Sequence, residues 1–178
     1  METLDFLSSD FQAEVRNFRS ALGRFATGVT VVTTRAPGGK LEGLTANSFS
    51  AVSLDPPLVL WSLRRQAPSL QAFINANCFA VNVLSKTQVQ MSRHFSTPFL
   101  DKFEQQAFIS GVDGCPMLFA ESLAIFECRT EKMIEGGDHI IFLGRVVRAH
   151  HRDGEPLTFV AGGYGTHLPL SEPLHARG

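Results

Sequence analysis

Two stretches in the second half of the chain, Leu123 to Ile134 and His139 to His150, have strand character and are joined only by Glu135-Gly136-Gly137-Asp138. A link of that size makes a hairpin and obliges its two strands to run antiparallel. Much of the remaining chain follows the same pattern. Val29-Thr30-Val31-Val32-Thr33-Thr34 is β-branched throughout and predicts a strand. Ala36-Pro37-Gly38-Gly39 marks a turn, and a second strand is expected from near Lys40. After the Asp55-Pro56-Pro57 break, Leu58 to Leu63 reads as a buried strand and Cys78 to Leu84 as the next. Ala107 to Ser110 and Leu157 to Ala161 are shorter candidates, the second followed by a Gly-rich segment.

Helical patterns occur only at intervals. Phe11, Val15, Phe18, Leu22 and Phe25 fall on one helical face, with Ser9 and Gln12 spaced as a capping box and Gly28 placed to end the helix. That helix is expected to lie as a lid over one face of a sheet. Ala67-Pro68-Ser69-Leu70 opens a short helix with Leu70, Phe73 and Ile74 facing inward. Ser85 and Gln88 repeat the capping-box spacing and open a helix to about Phe95. Residues 96–121, with Pro98, Gly111, Gly114 and Pro116, read as irregular. A doubly wound sheet needs a helix after nearly every strand, and that pattern is absent. The expected architecture is mainly β: an antiparallel barrel with peripheral helices.

The chain has 178 residues, 44% of them hydrophobic and 19% charged, which suits one globular domain over 1–178 with a core of about 11–168 and a short tail. A net charge of −1 gives no footprint for nucleic acid or an anionic membrane. No apolar run reaches bilayer length and the N-terminus lacks a signal-peptide pattern, so a cytoplasmic location is expected. Cys78, Cys115 and Cys128 form no CxxC pair, which argues against a disulfide framework or a zinc site. The tandem His150-His151 would point to opposite faces of a strand and reads as a solvated strand end rather than a metal site. GxGxxG after a strand, GxxxxGK[ST], HExxH and GxSxG are all missing.

The chemistry-bearing residues cluster around Gly43 to Leu63. Thr45, Asn47, Ser48 and Ser50 are short donors and acceptors beside a buried run, suited to lining a polar ligand or equally to the outer face of a hairpin. Arg64 follows a strand, and Ser62 and Ser69 flank it near a helix start. Those groups suit a phosphate, while ordinary helix capping with a solvated Arg64-Arg65 pair is the plainer alternative. His139 follows two glycines that allow another molecule to approach closely, or sits on a rim beside a turn aspartate. Gly162-Gly163-Tyr164-Gly165 holds the single tyrosine of the chain, and is either a contact segment or a turn.

The segments GLTANSFSAVSLDPPLV (Gly43 to Val59), FAVNVLS (Phe79 to Ser85), GGDHIIFLGRV (Gly136 to Val146) and AGGYG (Ala161 to Gly165) together resemble the short-chain flavin reductases. These proteins feed reduced flavin to two-component monooxygenases, and the resemblance covers roughly residues 15–167. It implies a Greek-key split β-barrel of the FMN-binding type, forming a homodimer with sites near the subunit interface. It also implies that Leu41 to Thr45, with Gly43, Leu44 and Thr45 among them, line FMN or FAD together with Asn47, Ser48, Ser62, Leu63, Arg64, Ser69, His94 and Phe95. His139, Gly162, Gly163 and Tyr164 are implied to contact NADH, with NADPH possible. No nucleophile or strong acid stands out, which fits hydride transfer, where position and electrostatics are the protein's share and His139 orients. The expected activity is an NAD(P)H:flavin oxidoreductase that releases reduced flavin to a separate monooxygenase. The alternatives are a non-catalytic flavin-binding protein and a split-barrel oxidase holding FMN tightly.

Overall fold

The computed structural model describes residues 3, 4, 6, 11–98, 101–104 and 106–169. In chain order it contains α1 (Phe11–Leu22), β1 (Thr27–Gly28), β2 (Thr30–Arg35), β3 (Leu41–Ala46), β4 (Ser50–Leu54) and β5 (Pro57–Arg64). Then follow α2 (Leu70–Asn75), β6 (Cys78–Val83), α3 (Val89–Ser96), β7 (Ile109–Ser110) and β8 (Pro116–Met117). The chain closes on β9 (Ala124–Gly136), β10 (His139–His151), β11 (Leu157–Val160) and β12 (Gly163–Thr166).

Seven strands form one antiparallel sheet in the order β3-β2-β6-β9-β10-β5-β4. The strands at its two edges, β3 and β4, are consecutive in sequence and separated only by Asn47, Ser48 and Phe49. Ala46 and Ser50 are four Cα steps apart, so their separation cannot exceed about 14 Å. A flat sheet of this order would place its edges about 28 Å apart at ~4.7 Å per strand. The sheet therefore curls until its edges nearly meet, which is a barrel split at one seam. The helices lie at its periphery. Two smaller antiparallel sheets, β1-β11-β12 and β7-β8, pack against it.

Six of the seven strands send side chains into the interior. Val32, Ala46, Val59, Trp61, Leu63, Phe79, Val81, Cys128 and Phe142 pack there with Leu70 and Phe73 of α2. The Trp61 and Phe142 rings stack with centroids 4.8 Å apart, and Phe73 meets Trp61 edge-on at 4.9 Å. Such ring pairs add about 0.5–1.5 kcal/mol each beyond area burial. On the outer side of β2, Val29 and Val31 join Leu84, Phe95, Leu118 and Leu157 in a second cluster. This is why the β-branched run is buried on both faces rather than alternately.

The long hairpin is tighter than its sequence indicates. β9 and β10 run to Gly136 and His139, leaving Gly137-Asp138 as the turn, with Gly137 at φ +66°. The capping spacing at Ser85 is realised, its N–H donating to Gln88 Oε1 at 3.0 Å. A short 3₁₀ turn, Lys86–Gln88, precedes α3 there.

Other expectations are corrected. α1 ends at Leu22, where Gly23 N–H bonds Arg19 O at 2.9 Å, and Gly28 instead pairs with β11. Ser9, the expected cap of that helix, lies outside the described residues. The α1 stripe does not cover a sheet, since Phe18, Leu22 and Phe25 are 38%, 57% and 78% exposed. Pro68 stands in a turn ahead of α2 rather than within its first turn. The glycines after β11 form a turn at Gly162 and then β12. His150 is not simply solvated: its Nε2 lies 3.0 Å from Oε1 of Glu127, a carboxylate only 1% exposed. Among the described residues, no helix is long and apolar enough to cross a membrane.

One glycine shows how closely the interior is filled. A Cβ on Gly144 would press on the Phe79 ring and come within 3.0 Å of Cys128 Cβ. Phe79 is 1% exposed and has nowhere to swing. Gly144→Ala is expected to lower stability by about 1–3 kcal/mol in urea denaturation, and an unchanged midpoint would contradict this packing.

Candidate functional site

The seam between β3 and β4 is where the barrel runs out of backbone pairing, and its polar groups follow from that. Ser48 continues the β4–β5 ladder with its side chain: Oγ accepts from Ser62 N–H at 2.9 Å and donates to Ser62 O at 3.1 Å. Thr45 turns the other way and donates to Ser92 O of α3 at 2.6 Å. A cavity of about 750 Å³ opens over this seam. Its walls are β3 with residues 47–48, the end of β5, the 67–69 turn, and the C-terminal end of α3 with Thr97 and Pro98.

The cavity brings together ten of the residues singled out from sequence: Leu44, Thr45, Asn47, Ser48, Ser62, Leu63, Arg64, Ser69, Phe95 and His139. The Arg64-Arg65 pair divides its work. Arg65 Nε donates to Gly137 O at 2.9 Å and its guanidinium pairs with Glu135 at 3.3 Å, so it clamps the β9–β10 turn. The Arg64 guanidinium makes no hydrogen bond or ion pair among the described residues, and Arg64 lines the cavity. Ser69 precedes α2 but makes no side-chain capping bond, which leaves its hydroxyl available. The capping alternative is therefore absent for Ser69, whereas Arg64 and Arg65 are both exposed, as a solvated pair would be.

His139 faces Arg64 across the β10–β5 ladder. Its Nδ1 lies 2.7 Å from Asp138 Oδ1. The hydrogen bond from His139 is the main cause that holds the Asp138 carboxyl below the usual carboxylate range. An ionised carboxylate only accepts, so Nδ1 carries the proton and the ring is oriented by it.

Six expected residues are placed elsewhere, Leu41 among them, packed against the outer-face cluster of β2. Gly43 is buried behind the wall; a Cβ there would stand 2.7 Å from the Phe95 ring, so glycine is what lets β3 and α3 approach. His94 points to the outer side of α3, into a hollow of about 520 Å³ with Arg93 and Gln106. Its Nε2 is 2.7 Å from Lys102 O. Gly162 and Gly163 line no cavity wall here, and Tyr164 lies behind α3, its hydroxyl 2.8 Å from Ser92 Oγ. Tyr164 thus reaches the cavity only through Ser92 and Thr45, and does not join His139 within one chain.

Sequence reading missed Lys40 and Lys102, which also line the cavity, beside Glu42 of the implied Leu41 to Thr45 run. Lys40 and Glu42 neutralise each other at 2.6 Å. Lys102 Nζ donates to Phe95 O at 2.8 Å and Gly43 O at 3.0 Å, tying α3 to β3, and burial pulls its pKa below the ordinary lysine value. Lys102 stands in the irregular stretch, where no periodicity marks a residue for attention.

A cavity of several hundred cubic ångströms lined by short polar groups, a guanidinium with no hydrogen-bond partner among the described residues and a carboxylate-oriented histidine has the chemistry to take a phosphorylated ligand. The flavin reductase like domain matches residues 22–167, and the chain belongs to that family. It is 47% identical over 150 residues to the FMN reductase (NADH) SmoA of Agrobacterium fabrum, covering 84% of each. It is 37% identical over 153 residues to the reductase component of the flavin-dependent trigonelline monooxygenase of Acinetobacter baylyi, covering 86% of this chain and 49% of that one. The chain thus spans about half the length of some of its relatives. The structure of the Streptomyces globisporus NADH:FAD oxidoreductase in complex with NAD and FAD fragments superposes with a TM-score of 0.86 at 34% identity, over 97% of this chain and 100% of that one.

Proposed function

We propose that this chain is a single flavin reductase-like domain that uses NADH, or NADPH, to reduce FMN or FAD and releases the reduced flavin to a separate monooxygenase. The observation that carries the reading is the shared cavity, in which Arg64, Ser62 and Ser69 stand with Asn47, Ser48 and His139. The residues fit a flavin nucleotide. Arg64 and the Ser69 hydroxyl lack other partners among the described residues and would hold the phosphate. Asn47 carries both donors and acceptors, as the pyrimidine edge of the ring requires. Phe95 and Leu44 supply apolar wall, and the Lys102 bonds keep that wall in place.

A bound flavin supplies the hydride acceptor, and the protein's share is position and electrostatics. His139, fixed by Asp138, would present its remaining ring nitrogen to the nicotinamide and keep it over the cavity mouth. We further propose a homodimer working in the cytoplasm. The exposed α1 stripe of Phe18, Leu22 and Phe25 among the described residues supports the dimer, because exposed apolar runs of this kind mark interfaces.

NADH and NADPH consumption with FMN, FAD and riboflavin tests the activity. Flavin binding with both nicotinamides untouched would leave a flavin-storage protein instead. Arg64→Ala is expected to weaken FMN binding about 10- to 100-fold while changing riboflavin affinity little; equal losses for both would remove Arg64 from the phosphate. His139→Ala should raise the nicotinamide KM more than the flavin Kd, and an unchanged KM excludes it from the nicotinamide site. Light scattering during size exclusion should return twice the chain mass, and a monomer would sink the dimer.

A further inference from the structure

Away from the cavity, Cys78 and Cys115 bring two sulfurs together. Their Sγ atoms are 2.6 Å apart although the residues are 37 positions apart in sequence. That separation lies between the ~2.05 Å of an S–S bond and the ~3.5 Å or more of ordinary non-bonded contact. The two residues are 5% and 1% exposed and pack with Ala80, Met117 and Ile125.

Both backbones are pinned. Cys78 O accepts from Thr34 Oγ1 at 2.6 Å. Cys115 O accepts from Gly111 N–H at 2.8 Å, and Cys115 N–H donates to Val112 O at 3.1 Å. On the same turn, Arg35 Nε donates to Gly114 O at 2.9 Å. Two sulfurs 2.6 Å apart on hydrogen-bonded backbones have only about 0.6 Å to close to reach the ~2.05 Å of an S–S bond. Cys128 supplies a contrast within the same sheet. It is buried, its Sγ donates to Phe126 O at 3.6 Å, and burial pushes its thiol up to about 12. No contact between Cys128 and another sulfur is present among the described residues.

We propose that Cys78 and Cys115 are a redox-active thiol pair that hydrogen peroxide converts to an intramolecular disulfide, fixing the β7–β8 hairpin to β6. One thiolate attacks a peroxide oxygen, the O–O bond breaks, and a sulfenic acid and the first water form. The second thiol attacks that sulfur, the S–S bond forms, and the hydroxyl leaves as the second water with the thiol's proton. Two thiols lose two electrons and two protons, and one peroxide becomes two waters. Peroxide is close to water in size, and Cys78 retains slight exposure. Reduced flavin left in air without an oxygenase passes two electrons and two protons to O2, which makes peroxide beside the protein. That source rests on the reductase reading above, whereas the pairing does not.

The test treats the purified full chain with peroxide, denatures it, labels thiols with N-ethylmaleimide and weighs it. Labelled thiols should fall from three to one, and a non-reducing peptide map should join Cys78 to Cys115. Cys115→Ala should form no link, and peroxide should leave Cys78 as a sulfenic acid or a thiol rather than in a disulfide. If that variant does not fold, the wild-type map still decides. Three labelled thiols after peroxide, a link to Cys128, or sulfinic acid in place of the link overturns the pairing. In a second arm, turnover with NADH, flavin and air should form the same link, and catalase should prevent it. A link formed by added peroxide but never by turnover overturns the self-generated source alone. Failure to consume nicotinamide, read in the same assay, counts against the reductase reading instead.

Discussion

Three residues, Asn47-Ser48-Phe49, join the two edge strands of a seven-stranded sheet, and that tether governs much else in this molecule. Because the tether is short, the sheet cannot open, and because the edges do not pair with each other, the closure leaves a seam. Main-chain groups at a seam need partners other than a neighbouring strand. Here they find side chains: Ser48 with both groups of Ser62, Thr30 Oγ1 with Ala46 O at 2.8 Å, and Lys102 with Gly43 O. The polar character of the region is thus first a requirement of closure.

The interior explains why the cavity sits over the seam and not within the barrel. Trp61, Phe73, Phe79 and Phe142 fill the space with rings in contact, and each is 2% exposed or less. α2 contributes Leu70 and Phe73 to that filling, so the turn before it is drawn down onto the end of β5. Ser69 and Arg64 become neighbours of Asn47 by this route. Packing of apolar side chains on one side of the sheet therefore positions polar ones at its rim.

How much of this was legible in the residues differs from element to element. The long hairpin, the β-branched β2 and the capping spacing at Ser85 are local signals, and each element forms where its pattern stands. The pairing order is not local, since β2 bonds β6 and β6 bonds β9 across long gaps, and no window of sequence contains both partners. α1 shows a different limit. Its apolar stripe is correctly periodic, but periodicity says that a face seeks cover and not where the cover comes from. His94 and Tyr164 were placed by family likeness; the outward turn of His94 and the position of Tyr164 behind α3 depend on the rotation of that helix, which Ser92 and Thr45 settle. Lys102 had no signal at all.

Arg64 and Arg65 show how register assigns a role that composition cannot. The two residues are chemically identical and adjacent, and β5 alternates its side chains between faces. Its inward face carries Val59, Trp61 and Leu63, and the same alternation sends Ser62 and Arg64 to the cavity. The strand ends at Arg64, so Arg65 is released from that alternation and reaches the β9–β10 turn, where Gly137 O and Glu135 receive it. A one-residue slip of β5 would exchange the two arginines and also turn Trp61 out of the core. The burial of one tryptophan side chain thereby fixes which arginine faces the cavity.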